Sequence, residues 1–94
     1  MIKEDVARNT ERQRARMKIP VDAACHEKWL LGRVRYGPEF VGEPVPHLHD
    51  ELLDAINYVE EARRQFGDQP GFAWIEQELL KVIAEVRLID GKLP

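Results

Sequence analysis

Ninety-four residues, 44% hydrophobic and 33% charged, suit one small helix-rich domain with little interior to spare, and they exclude a disordered chain. No apolar run approaches the roughly 18–20 residues that a membrane span needs, and the charged first fifteen residues lack the apolar stretch of a signal peptide. The single cysteine, Cys25, excludes an intramolecular disulfide and the usual Cys-based zinc sites, and it fits a reducing cytoplasm, the expected location.

The net charge of −3 is unevenly spread. Residues 1–18 carry Lys3, Arg8, Arg12, Arg14, Arg16 and Lys18 against Glu4, Asp5 and Glu11, a local +3 that leaves −6 on the remainder. A basic arm on an acidic body can touch nucleic acid, hold nucleotide phosphates, or fold onto an acidic neighbouring subunit. The acidic body argues against a dedicated DNA-binding domain. There is no zinc finger, Gly-rich phosphate loop or RNA-binding aromatic signature, so nucleic acid is not the expected partner.

Residues 2–18 are rich in helix formers, but Ile2, Val6, Ala7, Ala15 and Met17 make too narrow a stripe to hold a helix on a core. They are expected as a charged helical arm, 1–19, that ends at Ile19-Pro20. A single helical domain, 20–94, should follow. Its first helix is predicted from about 21 to 35, with Asp22 as a cap and Ala24, Cys25, Trp29, Leu30, Leu31 and Val34 on its apolar side; Tyr36-Gly37-Pro38 stops it. Residues 37–46, GPEFVGEPVP, form a stiff extended connection with Phe40 and Val41 tucked against the bundle.

The next helix, about 46–66, starts at Pro46 with acidic residues early and closes with Arg63 and Arg64, as the helix dipole prefers. It separates into two faces. Leu48, Leu52, Ala55, Ile56, Val59, Ala62 and Phe66 form an apolar stripe, while Glu51, Asp54, Tyr58 and Glu61 recur on another side, with Asp50 and Asn57 alongside. A Glu-x-x-Asp pair sets two carboxylates about 5–6 Å apart at Cβ. It is either a solvated face or half of an oxygen-rich site for a hard cation such as Mg²⁺.

After the turn Gly67-Asp68-Gln69-Pro70-Gly71, a last helix from about 71 to 90 places Phe72, Ile75, Leu79, Val82, Val86 and Ile89 on a heptad seam. Trp74, Leu80, Ile83 and Leu88 lie off it, more apolar surface than one partner helix covers. The expected fold is therefore all-α: an antiparallel helical hairpin or bundle completed by oligomerisation, as a homodimer or larger, with the charged N-terminal arm attached.

The run Gly32-Arg-Val-Arg-Tyr-Gly-Pro-Glu-Phe-Val-Gly-Glu-Pro, followed by Glu51-Leu-Leu-Asp54-Ala-Ile-Asn57-Tyr58, resembles short phage or bacterial relatives of the MazG-like all-α nucleotide pyrophosphohydrolases. The resemblance covers roughly residues 22–66. It implies a helical, oligomeric, nucleotide-binding protein that hydrolyses an NTP or dNTP to the monophosphate and pyrophosphate with Mg²⁺. Glu51 and Asp54 match the Glu-x-x-Asp motif of such proteins and would be catalytic metal ligands. Their other motif, Glu-Glu-x-x-Glu on the preceding helix, is incomplete, because only Glu27 stands there as a third ligand. Lys28, Arg33 and Arg35 are then candidates for phosphate oxygens, and Asn57 and Tyr58 for base or sugar. From a different class, the same chain reads as a non-catalytic helical interaction protein, a phage-type accessory or regulatory protein that binds a protein partner or a signalling nucleotide.

The remaining chemical side chains have plainer expectations. His26 is a surface or half-buried histidine, and His47 and His49, two apart, point to different helix sides and do not share an ion. Cys25 should be a small buried apolar residue, and Trp29 and Trp74 should be buried in the bundle. The Arg12, Arg14, Arg16, Lys18 series is a solvated face. Glu60 and Glu61 should pair with Arg63 and Arg64 within the helix, each pair contributing about 0.2–0.5 kcal/mol.

Overall fold

The computed structural model describes residues 3–94, so Met1 and Ile2 of the expected arm lie outside the described residues. Four helices follow in order: α1 (Lys3–Arg16), α2 (Val21–Tyr36), α3 (Pro44–Phe66) and α4 (Pro70–Asp90). Among the described residues there is no strand, and no helix is long and apolar enough to cross a membrane. The chain divides into two compact units, one up to Val41 with α1 and α2, the other Gly42–Pro94 with α3 and α4.

In the first unit, α1 closes through Met17 N–H bonds to the carbonyls of Gln13 and Arg14. Pro20, at φ −54° and ψ 149°, is the residue that opens α2; its carbonyl accepts from Ala24 N–H at 3.0 Å. Asp22 is no cap, contrary to expectation: it sits inside the first turn, two residues past the N-cap position that Pro20 holds. Gly37, at φ +98°, ends the helix and donates its N–H to the Arg33 carbonyl at 2.9 Å, a backbone setting that a side chain would strain. Helix α2 buries no residue. Cys25 and Trp29, expected inside, are exposed, because the polar α1 offers no apolar stripe for them to pack on within this unit. Phe40 and Val41, expected to be tucked in, are exposed as well, on the Pro/Gly-rich connection.

In the second unit, α3 begins two residues earlier than predicted, with Glu43 as its flanking residue and Pro44 at the first helical position. Pro46 therefore falls within the first turn, where its missing N–H has no intrahelical partner to lose. That turn holds no acidic residue, so the early carboxylates Asp50 and Glu51 belong to the second turn instead. Gly67, at φ +83°, closes α3 through its N–H to the Arg63 carbonyl at 2.9 Å, and Pro70 starts α4 three residues on.

Helices α3 and α4 pack on each other. Near the turn Arg63 Nη1 donates to Glu76 Oε2 at 2.8 Å, and at the far end Arg87 Nε donates to His49 Nε2 at 3.0 Å. Val45, Leu52, Ile56 and Val59 are half-buried on the α3 side. On α4, Ile83 (4% exposed) and Val86 (6%) form the buried core, flanked by half-buried Phe72 and Leu79.

The packed stripe of α4 is therefore 72-76-79-83-86, and not the predicted 72-75-79-82-86-89. Ile75 (40% exposed), Val82 (44%) and Ile89 (50%) stand beside the seam, Ile83 moves to its centre, and Trp74 is exposed. The two stripes share Phe72, Leu79 and Val86. On the packed stripe Arg63 meets the Glu76 carboxylate at 2.8 Å and offsets part of the cost of placing a charge there.

With about 3.6 residues per turn, one edge of the seam carries His49, Glu60 and Arg63 opposite Glu76 and Arg87, all polar. The other edge carries Leu48, Ala55, Ala62 and Phe66 opposite Ile75, Val82 and Ile89, all apolar.

Ile83→Ala should lower the unfolding free energy by about 2–5 kcal/mol in chemical denaturation at fixed protein concentration. Leu80→Ala, at an exposed position on the same helix, should change it by no more than about 0.5 kcal/mol. Equal losses would move the core off the Ile83 stripe.

Candidate functional site

The α3 face that turns away from the seam presents Glu51, Asp54, Asn57 and Tyr58, all exposed. The packing that half-buries Leu52, Ile56 and Val59 fixes this orientation, since on a helix those positions lie on the opposite side. Neither Glu51 nor Asp54 forms an ion pair with another described residue. The carboxylates further along behave differently. Glu60 bonds Arg63 at 3.0 Å and Glu61 takes Arg64 Nε at 2.9 Å, the expected intrahelical pairs, and Glu61 also accepts from Gln65 Nε2 at 2.8 Å. The last two turns of α3 neutralise their own acids; the turn holding Glu51 and Asp54 does not.

The other named residues lie on α2, in the first unit. Glu27 is half-buried with its Oε1 3.7 Å from Arg16 Nη1, so the carboxylate of the incomplete motif faces a cation from α1. Lys28 and Arg35 are exposed, with the Arg35 guanidinium 5.6 Å from the Tyr36 ring centre. Arg33 is half-buried, its guanidinium 5.5 Å from the Trp29 ring centre and its Nε without a hydrogen-bond partner. His26 stacks on the same tryptophan, ring centres 6.0 Å apart and planes 15° apart. Trp29 thus carries a cation and an imidazole, an exposed aromatic platform in place of the expected buried anchor. On α2 the four expected residues divide: Lys28 and Arg35 are exposed, while Glu27 meets Arg16 and Arg33 meets Trp29.

Among the described residues no three His, Cys, Asp or Glu side chains gather as a metal-binding group. Two carboxylates on one helix nevertheless suit Mg²⁺, which commonly binds through one or two carboxylates and fills its octahedron with waters and phosphate oxygens.

Two polar groupings across the α3–α4 seam were not foreseen. The first joins Glu60 and Arg63 to Glu76. Its signal in the sequence is Glu76 itself, a carboxylate set into the apolar series Phe72, Leu79, Ile83 and Val86. A hydrogen bond with the Glu60 carboxyl pushes the Glu76 pKa above its ordinary value of 4.5, with desolvation adding to this and Arg63 opposing it. Glu61, bonded by Arg64 and Gln65, is held below 4.5. The second grouping lines a cleft of about 290 Å³ between Val45, His49 and Asp50 on α3 and Val86, Arg87 and Asp90 on α4. There His49 Nε2 accepts from Arg87, which leaves the ring proton on Nδ1, 3.9 Å from Asp50 Oδ1. With one arginine between two aspartates, this cleft is no anion site.

No family model, curated protein or solved structure matches the chain.

The paired acids give a directional test. Because the folded form of Glu76 takes up its proton above 4.5, its contribution to stability is fullest below that pH and declines as pH rises through the folded value. Glu61 works in the opposite sense, contributing above 4.5 and losing its contribution as pH falls through its lowered value. In an NMR titration the Glu76 carboxyl should respond above 4.5, and in Glu60→Gln its midpoint should move down, since an amide donor and Arg63 then both favour the charged form. An unchanged midpoint would remove Glu60 as the cause.

Proposed function

We propose that this chain is a MazG-like nucleotide-binding protein, built on an antiparallel α3–α4 hairpin that completes its core with further copies, and that it hydrolyses a nucleoside triphosphate to the monophosphate and pyrophosphate. The observation that carries the proposal is the Glu51–Asp54 pair: two adjacent carboxylates without basic partners, on the face of α3 that the seam leaves free. An ordinary solvated face would more often be laced with arginines such as those found about three turns later.

In this scheme Glu51 and Asp54 hold Mg²⁺, with Glu27 as the third carboxylate, and the ion when bound neutralises phosphate charge. The chain's own residues supply the rest. Lys28, Arg33 and Arg35 offer cationic donors to phosphate oxygens, and Asn57 and Tyr58, one turn beyond Asp54, offer an amide and a phenol to base or sugar. The pairing of Glu27 with Arg16 weakens its claim as a ligand, because the carboxylate must leave one cation to take another.

A second reading, a non-catalytic helical interaction protein, is favoured by the exposed Trp29, Leu30 and Val34 on α2, a helix that buries no residue.

The deciding experiment is pyrophosphate release from a panel of NTPs and dNTPs with Mg²⁺. Wild type should release it, and Glu51→Gln or Asp54→Asn should reduce the rate at least about 100-fold. Absence of release together with Mg²⁺-dependent nucleotide binding would reduce the protein to a binder. Absence of both would overturn the proposal in favour of the interaction reading.

A further inference from the structure

The α3–α4 hairpin is held differently at its two ends. At one end the short Gly67–Gln69 turn joins the helices covalently, and Arg63 meets Glu76 close to it. The other end lies about 26 Å back along α3, from Phe66 to His49, and has no chain connection. There Arg87 Nε donates to His49 Nε2 at 3.0 Å and ties one helix to the other. The bond borders the cleft of about 290 Å³ whose apolar wall is Val45, Pro46 and Val86. Val86, only 6% exposed, belongs to the buried core. The contact that closes this end therefore stands beside the core itself.

The acceptor in that contact is a nitrogen lone pair that a proton can take. A neutral imidazole has one donor and one acceptor nitrogen, whereas the protonated ring has two donors and no acceptor. His49 can hold Arg87 only while it is neutral. The charged groups that face the ring are Asp50 on its own helix, with Oδ1 3.9 Å from Nδ1, and Arg87 and Asp90 on α4. Its helical neighbours three and four positions away, Val45, Pro46, Leu52 and Leu53, carry no charge. With His49 neutral, this group holds one cation and two carboxylates; a proton on the ring balances it. Each cation then has an acid at hand, Asp50 beside Nδ1 and Asp90 three positions on from Arg87. Protonation exchanges a bond between the helices for a pair within each helix.

We infer that His49 and Arg87 form a proton-operated latch at the free end of the hairpin. Neutral His49 fastens α3 to α4. The imidazolium releases Arg87 and opens the cleft onto Val86. Because Asp50 and Asp90 take up the two cations, the end opens without unfolding the hairpin, which the turn and Ile83 still hold. The latch is independent of nucleotide turnover, whose carboxylates Glu51 and Asp54 lie on the outward face of α3.

An NMR titration of the full chain from about pH 8 to about pH 5, the interval in which imidazoles change charge, tests this. At the upper limit the nitrogen shifts of His49 should place the ring proton on Nδ1, with Nε2 as acceptor. As the ring takes its second proton, the Val86 methyl groups should become several-fold more sensitive to a soluble gadolinium chelate. His49→Gln offers Arg87 an amide oxygen at every pH, so Val86 should stay shielded throughout. Should that variant fail to fold, Arg87→Met removes the donor instead, and its Val86 should be equally accessible at both limits. A ring proton on Nε2 at the upper limit would overturn the latch, because Arg87 then has no acceptor there. So would a Val86 that stays shielded while His49 titrates. An opening of the same size in His49→Gln would overturn it too, by tracing the change to another acid such as Glu76.

Discussion

One narrow contact governs this molecule: Ile83 and Val86 of α4 buried against α3. Two buried side chains are a small core, and a helix packed on a single neighbour leaves most of its circumference uncovered. The placement of everything else in the second unit follows from which stripe of α4 enters that contact. On the stripe that enters it, Arg63 meets Glu76, Ile83 turns inward, and Ile75, Val82 and Ile89 stay outside. The packed stripe leaves an apolar edge on one side of the seam and a polar edge on the other.

The same contact defines the outward face of α3. Because Leu52, Ile56 and Val59 point to the seam, Glu51 and Asp54 point away from it, and the helix carries two kinds of acid. Glu60 and Glu61 belong to structure: arginines one turn on absorb their charge, and Glu60 helps to set the protonation of Glu76. Glu51 and Asp54 have no such partners. The arginines leave the uncompensated charge of α3 at the turn of Glu51 and Asp54, where a hard cation gains most.

The helices and their ends were legible in the sequence, because prolines and glycines act through backbone geometry that needs no tertiary partner. Gly37 and Gly67 adopt the positive φ expected at such stops, while α3 starts at Pro44 and not at the expected Pro46. Packing was not legible in the same way. The heptad through Ile75 and Val82 and the stripe through Glu76 and Ile83 differ by one residue, and apolarity alone favours the first; the structure packs the second, on which Arg63 meets Glu76. Cys25, Trp29 and Trp74 were assigned to a core by residue type, yet each helix has too little neighbouring surface to cover them. The acidic face of α3 was readable from spacing, while the attachment of Glu27 to Arg16 depends on how α1 and α2 meet, which no spacing records.

The account turns on whether the turn of α3 from Glu51 to Tyr58 binds a metal–nucleotide complex. Amide chemical-shift mapping of the full chain with Mg²⁺ and a non-hydrolysable deoxynucleoside triphosphate measures this directly. The account predicts shifts concentrated at residues 51–58, saturating only when ion and nucleotide are both present, with Glu60 and Glu61 little affected because their arginines already hold them. Shifts spread evenly over all the α3 carboxylates, or absent from residues 51–58, would contradict it.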